Sequence, residues 1–352
     1  MTQRLRVGII GAGGIASDAH IPNYLKCGDK VELIAIADVV KEKALQVAQK
    51  FHIPHAFSNY EKMLQEMELD AVSICTPNKF HAPAAVAALE AGCHVLCEKP
   101  PAMTASEAER MARIAKQTGK ILTYGFHYRH SPQVEALKRF IDANELGEIY
   151  SARAQALRRR GIPGWGVFTN KELQGGGALI DVGVHMLDTA LYLMGYPEPA
   201  IVLGSTYQKI GTRKGVGLFG EWDWKNFSVE DLAQGMIRFK NGATLLLEAA
   251  FAANIEQHEM MQVSLMGDQG GADVFPLKIY QEKYETLIDI TPSYLPKQGY
   301  HEVEIARFVD SCLTGTPPLS TPKQGTILQH IIEAFYQSAE TGEAVKISLN
   351  EY

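Results

Sequence analysis

Residues 5–16 read LRVGIIGAGGIA, an apolar run followed at once by a glycine-rich turn. The run is typical of a buried strand, and G-x-G-x-x-A directly after a strand is typical of a turn that binds a dinucleotide. In that pattern Gly11 makes the tight turn, Gly13 lets the backbone approach a pyrophosphate, and the alanine allows close helix packing. Gly14 and Ile15 lead into a helix whose N-terminus would receive the phosphates. Glycine turns after strands are frequent, so the motif alone is weak evidence.

A second strand supplies the other half of this pattern. Residues 31–38 read VELIAIAD and end in Asp38, 22 residues beyond Ala16. An acid about 20 residues after the turn binds the ribose hydroxyls of NAD and repels the 2′-phosphate of NADP. Neither of the next two residues is Arg or Ser, so NAD is favoured, although Lys41 and Lys43 leave NADP open as an alternative.

Strand and helix patterns alternate up to about residue 125. Helices are predicted at 41–51, 81–91 and 104–118, and further strands at 70–75, 94–97 and 121–125. This alternation indicates an α/β fold with a doubly wound parallel sheet, which forms an N-terminal domain over residues 1–125.

From residue 126 to 352 the pattern changes to that of an α+β domain. Strands are predicted at 148–157, 201–208, 231–239, 244–251 and 261–266, and helices at 131–144, 301–313 and 323–341. Consecutive strands without helices between them predict a largely antiparallel sheet. The Trp-rich segment 211–227 has no clear pattern.

Polar residues follow two of the strands in the first domain, at the sheet edge where α/β proteins bind ligands. They are Thr76, Pro77, Asn78 and His81 in one place and Glu98 and Lys99 in the other. A plain turn explains Thr76–Asn78 equally well, because Pro and Asn favour turns. Lys99 has the alternative of a surface lysine, but the buried strand before it and two prolines after it hold it at this edge.

Residues 175–188 read GGGALIDVGVHMLD and place an acid and a base on one predicted helix, 178–195. The three glycines predict a flexible loop before it. Asp181 and His185 are four residues apart and so share a face. A carboxylate beside an imidazole suits a general base working near neutral pH, whereas the alternative is an ordinary surface ion pair.

Composition limits the class of protein. A chain of 352 residues suits two domains, and 46% hydrophobic with 21% charged residues is typical of a globular protein. The net charge of −6 gives no reason to expect nucleic acid as a partner. The one basic cluster, Arg158-Arg159-Arg160, is interpreted as a solvated or phosphate-facing patch.

The cysteines and the apolar runs indicate the compartment. The five cysteines are an odd number without zinc-site spacing, so they are interpreted as reduced packing residues, and no metal site is expected. No charged-then-apolar leader and no apolar run near ~20 residues is seen, so no membrane segment is expected. These features predict a cytoplasmic protein.

Taken together, these motifs resemble the glucose–fructose oxidoreductase / inositol dehydrogenase (Gfo/Idh/MocA) family over essentially the full length. The resemblance rests on GAGGIA at 11–16, Asp38, CTPNKFHAPAAVAALEAGCHVLCEKP at 75–100 and GGGALIDVGVHMLD at 175–188. The last two runs are specific in combination.

The resemblance implies an NAD(P)-dependent oxidoreductase with a Rossmann domain and an open-faced C-terminal sheet. That sheet would form a homodimer or homotetramer. Lys99 would lie by the nicotinamide and the reacting oxygen, His185 would be the acid/base, and Asp181 would lie beside it. Glu98 would shape the nicotinamide pocket. Trp165 would lie near the cofactor, with a buried core tryptophan as the alternative, and Gly166 stands where family members often have arginine.

The expected chemistry is oxidation of a secondary alcohol of a sugar, cyclitol or related polyol, or the reverse reduction. His185 would take the hydroxyl proton while a hydride passes to NAD, and Lys99 would stabilise the developing alkoxide. Two alternatives are an NAD-dependent glycosidase that oxidises its sugar transiently and a non-catalytic NAD-binding regulator. Asp188 is interpreted as structural, and four histidines without a carboxylate partner in sequence are expected to be packing or surface residues: His20, His55, His94 and His301.

Overall fold

The computed structural model describes residues 4–349; the outer ends of the two predicted domains, 1–3 and 350–352, lie outside the described residues. The chain divides into two compact units. The first contains the residues up to 127 together with 298–329, and the second contains 128–297 together with the described residues from 330 onward.

The strands are β1 Leu5–Ile10, β2 Val31–Ala37, β3 His55–Phe57, β4 Ala71–Ile74, β5 His94–Cys97, β6 Leu122–Tyr124, β7 Ile149–Arg158, β8 Pro199–Tyr207, β9 Leu232–Phe239, β10 Thr244–Ala250, β11 Glu259–Gly267, β12 Gly270–Asp273, β13 Lys278–Lys283, β14 Thr286–Ile290 and β15 Val345–Lys346. The α-helices are α1 Ile21–Lys26, α2 Lys41–Phe51, α3 Tyr60–Glu66, α4 His81–Glu90, α5 Ala105–Thr118, α6 Pro132–Asp142, α7 Lys171–Gln174, α8 Val184–Leu193, α9 Tyr300–Thr314 and α10 Pro322–Thr341. Two π-helical turns, Ala16–His20 and Leu179–Gly183, precede α1 and α8. None of the helices among residues 4–349 is long and apolar enough to cross a bilayer.

The first unit contains a six-stranded parallel sheet in the order β3-β2-β1-β4-β5-β6. This confirms the predicted doubly wound α/β architecture. All four residues of β4 are buried, as expected of a parallel strand covered on both faces. The core around β1 also takes in Ile305 and Phe308 from α9, far along the sequence. Both β3 and α3 were not predicted, because β3 has only three half-buried or exposed residues and so shows no apolar run.

The second unit contains a nine-stranded sheet in the order β14-β13-β12-β11-β7-β10-β9-β8-β15. Among the described strands of this sheet, β7 and β10 alone pair in parallel, which confirms the largely antiparallel sheet. The π-helical turn and α8 pack on one face, where a Cβ on Gly183 would lie 2.7 Å from Ala249 Cβ. The strands β12–β14 were not predicted, because polar and charged residues interrupt their apolar positions.

The other face of this sheet leaves apolar side chains exposed on neighbouring strands. Leu203 on β8 is opposite Met236 on β9, and Met236 is opposite Leu246 on β10. All three side chains are exposed. Cross-strand neighbours of this kind form one continuous apolar strip, which we call the outer strip.

Asp231 organises the segment for which the sequence showed no pattern. Its buried carboxylate accepts hydrogen bonds from the backbone N–H groups of Lys209, Ile210 and Gly211 at 2.5–2.8 Å. Trp222 then donates its indole N–H to the Gly211 carbonyl at 2.7 Å. The segment 211–227 is therefore held at Gly211 by polar contacts. Contacts of this kind produce no hydrophobic periodicity in the sequence.

Helix α8 is fixed by a buried ion pair. Arg129 donates two hydrogen bonds, at 2.8 and 2.6 Å, to the carboxylate of Asp188, and the side chains are 0% and 1% exposed. The Tyr196 hydroxyl contacts both partners. Asp188 is therefore structural, as interpreted from the sequence, while its arginine partner was not foreseen.

Replacing Asp188 by Asn is expected to lower the free energy of unfolding by about 3 kcal/mol, because it removes the carboxylate charge that faces the buried Arg129 guanidinium. Asp289→Asn is the matched control, since its ion pair with Lys278 is largely exposed, and it should cost less than about 1 kcal/mol. Urea unfolding of the two variants measures the difference. Equal losses in the two variants would show that the buried pair contributes no more to the free energy of unfolding than an exposed pair.

Candidate functional site

The glycine turn after β1 has the geometry that its sequence predicts. Gly11 has φ +101°, and its N–H donates to the Ala37 carbonyl at 2.7 Å. A Cβ at this position would lie 2.5 Å from the Cys75 carbonyl oxygen, so the backbone between β1 and β4 leaves room for glycine alone. The turn is therefore fixed by both its conformation and its neighbours.

Space for a ligand remains beside this turn. Nothing lies within 4 Å of a Cβ built on Gly13, and Gly13 and Gly14 are exposed while Ile15 packs against the core. An exposed, side-chain-free backbone at the start of a helical segment suits a pyrophosphate. Ser17 N–H donates to the Gly13 carbonyl at 3.1 Å and so closes the first turn.

Asp38 lies at the carboxyl end of β2, next to the turn. Its two carboxylate oxygens accept the N–H groups of Ala12 and Val40, both at 2.9 Å. These bonds orient the carboxylate and leave each oxygen with further capacity to accept a ribose hydroxyl. The nearby Thr76 hydroxyl oxygen is buried with no hydrogen-bond partner in residues 4–349. These features fit a dinucleotide.

His81 connects the two strand ends that carry polar residues. Its ring nitrogens lie 2.7 Å from the Pro100 carbonyl oxygen and 2.9 Å from that of Thr76. The Lys99–Pro100 peptide is cis. Both nitrogens therefore lie within hydrogen-bond distance of a backbone carbonyl oxygen, and the neutral ring donates to one of them at a time. Burial lowers the pKa of His81. The ring positions the two loops that hold Pro77, Asn78 and Lys99. Its place in the cofactor site stays a prediction.

Glu98 is the centre of a buried polar network that the sequence did not reveal. Its carboxylate lies 2.9 Å from His20 Nε2, and His20 Nδ1 lies 3.1 Å from the Ser73 hydroxyl, which contacts the Tyr24 hydroxyl at 2.7 Å. His20 is fully buried, in agreement with the prediction of a packing or surface residue, and the turn after β1 brings it to this carboxylate at the end of β5. His301 likewise lies 3.4 Å from the Glu304 carboxylate on α9.

The network is ionic. Burial lowers the pKa of His20, but Cys75 and Glu98 together raise it well above its ordinary value. Burial raises the pKa of Glu98, and the hydrogen bond and charge of His20 outweigh this and lower it to about 2. The second Glu98 oxygen accepts the backbone N–H of Lys99 at 3.2 Å. A Cβ on Gly125 would lie 2.9 Å from Glu98, so this ion pair fixes the sheet edge on which the half-buried Lys99 stands.

In the second unit a buried carboxylate caps the segment that carries Asp181 and His185. Glu230 accepts the N–H of Gly177 at 2.8 Å and that of Leu179 at 3.0 Å, and the Tyr336 hydroxyl at 2.8 Å. A carboxylate at a helix N-terminus is favourable for the dipole. Burial raises the pKa of Glu230.

The glycines before this segment are packed, which corrects the predicted flexible loop. A Cβ on Gly176 would lie 1.9 Å from the Tyr336 hydroxyl, and one on Gly177 would lie 2.2 Å from the Glu230 carbonyl oxygen. Gly175 has φ +84° and ends α7. The three glycines therefore serve backbone conformation and close approach.

Asp181 and His185 do not lie on one regular α-helix. Asp181 is in the π-helical turn and His185 in the first turn of α8. Such π-bulges are frequent at functional sites. His185 is 9% exposed and Asp181 is half-buried. The centroids of the His185 and Tyr128 rings are 5.4 Å apart. The alternative of an ordinary surface ion pair therefore does not fit.

Trp165 lies in the second unit with 56% of its surface exposed. Its ring centroid lies 6.5 Å from that of Phe168 and 5.8 Å from that of Phe219. The alternative of a buried core tryptophan is therefore wrong. Among residues 4–349 no group of three or more His, Cys, Asp or Glu is arranged to hold a metal ion, and the five cysteines are unpaired.

The two units thus combine a dinucleotide-type glycine turn and acid with a second sheet that carries a buried histidine. Residues 5–126 match a family described as "Oxidoreductase family, NAD-binding Rossmann fold", and residues 138–347 match its C-terminal alpha/beta domain. The chain belongs to this Gfo/Idh/MocA oxidoreductase family. The predicted resemblance is confirmed.

Among its relatives is the D-glucoside 3-dehydrogenase of Escherichia coli K12, 44% identical over 343 residues and covering 97% of each chain. The D-xylose 1-dehydrogenase (NADP(+)) 2 of Haloferax volcanii is 28% identical over 345 residues, covering 97% of this chain and 99% of that one. A solved structure of levoglucosan dehydrogenase in complex with NADH superposes with a TM-score of 0.86 at 25% identity, covering 98% of this chain and 100% of the other.

Two alanine substitutions should separate the fold of the turn from its ligand site. Gly11→Ala is expected to destabilise the protein without ligand by about 2 kcal/mol or more, because of its positive φ and the contact with Cys75. Gly13→Ala should leave this stability within about 0.5 kcal/mol and weaken NAD binding at least about tenfold. Thermal unfolding and fluorescence titration with NAD measure the two effects. Undiminished NAD affinity in Gly13→Ala would contradict the assigned pyrophosphate position.

The His20–Glu98 pair should give stability a distinct pH dependence. The raised pKa of His20 makes its contribution complete below its ordinary value of 6.5 and lost as pH rises through the folded-state pKa. The lowered pKa of Glu98 makes its contribution complete above 4.5 and lost as pH falls towards about 2. His20→Gln should therefore cost most, about 3 kcal/mol, between pH 4.5 and 6.5. Urea unfolding of both proteins across pH tests this; a pH-independent difference would contradict an ionised pair.

Proposed function

We propose that this protein is an NAD-dependent dehydrogenase that oxidises a secondary alcohol of a sugar, cyclitol or related polyol, or reduces the corresponding ketone. Residues 1–125 are proposed as its cofactor domain and 126–352 as its substrate-binding and oligomerisation domain. The observation that carries the proposal is Asp38, whose carboxylate is oriented beside a glycine turn with open space at Gly13. Family membership and dehydrogenase relatives support it.

NAD is proposed over NADP on the charge of Asp38. A carboxylate at the end of β2 accepts two ribose hydroxyls and repels a phosphate at the same place. Gly11, Gly13, Gly14 and Ile15 are proposed to receive the pyrophosphate. Thr76, Pro77, Asn78, Glu98 and Trp165 are proposed to complete the cofactor site, with His81 positioning its loops.

His185 is proposed as the general base and Lys99 as the stabiliser of developing negative charge. As the carbinol carbon loses hydride, His185 takes the hydroxyl proton, and the Lys99 ammonium lowers the pKa of that hydroxyl. Asp181 orients the imidazole or bonds a neighbouring hydroxyl. Bound NAD supplies the hydride acceptor. The Glu230 cap and the Arg129–Asp188 pair keep the His185 segment in place.

Glucosides are the first substrates to examine, because a relative with 44% identity is named a D-glucoside 3-dehydrogenase. In such a substrate the proton would leave the C3 hydroxyl and the hydride would leave C3, giving a 3-keto glucoside and NADH. Free sugars and inositols remain in the proposed class.

We further propose that the outer strip is the surface through which copies of the chain form a homodimer or homotetramer. Leu203, Met236 and Leu246 present a continuous apolar surface that association would remove from water. A cytoplasmic location is proposed from the five unpaired cysteines, which suit a reducing compartment.

The function is tested by following nicotinamide absorbance with NAD and NADP against glucosides, free sugars, inositols and sugar acids. Steady NADH formation with one class is expected, with kcat lowered at least about 10³-fold in His185→Ala and Lys99→Met that retain wild-type thermal stability. No net reduction with any compound, combined with NAD that co-purifies, would instead favour the transient-oxidation glycosidase or the regulator.

Asp38→Asn is expected to lower the preference for NAD over NADP, measured as the ratio of kcat/KM values, at least about tenfold. The cause is loss of the charge that repels the 2′-phosphate. Glu42→Gln removes an exposed acid at the start of α2 and is the control for general charge, with the ratio expected to change less than about twofold. An unchanged ratio in Asp38→Asn would contradict the assigned ribose contact.

A further inference from the structure

We propose that the second unit carries a binding site for a sugar-sized organic anion, one with a phosphate or carboxylate on a small carbon skeleton. The site is a cavity of about 490 Å³. Its polar lining residues are Arg159, Arg160, Asn254 and His258, and its apolar lining residues are Val216, Leu218 and Ile255. All of these residues belong to the second unit.

The positive charge of this cavity comes from Arg159 and Arg160, which differ from the preceding Arg158 in their ion pairing. Arg158 is neutralised by Glu259, with Nε 2.9 Å from the carboxylate. The Arg159 guanidinium donates to the Glu256 carbonyl oxygen at 3.4 Å. Among residues 4–349, Arg159 and Arg160 make no ion pair, so two positive charges line the cavity without a compensating carboxylate.

Arg160 is preorganised by neutral acceptors. It donates to the Ala253 carbonyl at 3.0 Å, to the Asn254 side-chain oxygen at 2.6 Å and to the Arg159 carbonyl at 2.6 Å. These bonds fix the guanidinium plane without reducing its net charge. A guanidinium fixed in this way loses little side-chain entropy when it binds an anion.

The walls of the cavity are tied together by backbone hydrogen bonds. Arg159 N–H donates to the His258 carbonyl at 3.0 Å, and Leu218 N–H donates to the Arg160 carbonyl at 2.7 Å. The segments that carry the arginines, His258 and Leu218 are thereby held next to one another. The charged and apolar walls therefore face one preformed space.

The chemistry of the walls selects the ligand. Arginine binds phosphate and carboxylate through two parallel hydrogen bonds. The apolar side suits the C–H surface of a carbon skeleton rather than a bare inorganic ion. The volume lies within the range of small-molecule sites, about 300–1,000 Å³.

Calorimetric titration of the full-length protein without NAD, at constant ionic strength, tests the site. The probes are glucose 6-phosphate and gluconate, with neutral glucose and inorganic phosphate for comparison. At least one of the two sugar anions is expected to bind at least about tenfold more tightly than glucose and than inorganic phosphate. The stronger of the two identifies a phosphate or a carboxylate as the preferred group.

Arg159→Gln is the primary variant, because its one long bond makes it dispensable for folding. It should weaken binding of the preferred anion about tenfold or more. Arg153→Gln, on strand β7 just before Arg159 but paired with Glu248, is the matched control and should change affinity less than about twofold. His185→Ala should also leave it unchanged, which separates this site from the proposed catalytic one.

Three results would overturn the proposal: no binding of either sugar anion above that of glucose, equal binding of inorganic phosphate, or affinity unaffected by Arg159→Gln. Because NAD is absent and no turnover is measured, each of these results would leave the proposed dehydrogenase activity standing. Conversely, loss of that activity in every substrate assay would leave this site standing.

Discussion

The buried ion pair between His20 and Glu98 is the interaction on which the first unit depends. It joins the π-helical turn that follows the glycine turn to the end of β5. The same ion pair therefore stabilises both the proposed pyrophosphate-binding turn and the strand end that carries Lys99. Each of these buried charges offsets the desolvation penalty of the other, and either charge alone would be destabilising at this position. Glycine at position 125 is required because the Glu98 carboxylate lies so close to it.

The second unit depends on two buried polar interactions, a carboxylate cap and an ion pair. Glu230 accepts backbone N–H groups at the start of the segment that carries Asp181 and His185. The Arg129–Asp188 pair fixes α8 about one turn after His185. Packing does the rest, since Gly177 and Gly183 allow backbone approach that any side chain would prevent. The histidine proposed as general base is thus held by a buried carboxylate before it and a buried ion pair after it along the chain.

The sequence predicted the two architectures and the candidate motifs because these depend on local patterns. The glycine turn and Asp38 lie at strand ends that hydrophobic runs identify, and the long helices show clear periods. The charged partners His20, Glu230 and Arg129 were missed, because each meets its partner across tens of residues. The glycines at 175–177 were misinterpreted as flexible, since their neighbours Glu230 and Tyr336 come from distant segments.

The central claim is direct hydride transfer from a sugar carbon to NAD, and a glucoside carrying deuterium at C3 tests it most directly. The NADH formed is collected and its mass measured. The account predicts one deuterium on the nicotinamide ring and a 3-keto glucoside without deuterium at C3. Unlabelled NADH, or deuterium released to water without net NADH, would contradict it.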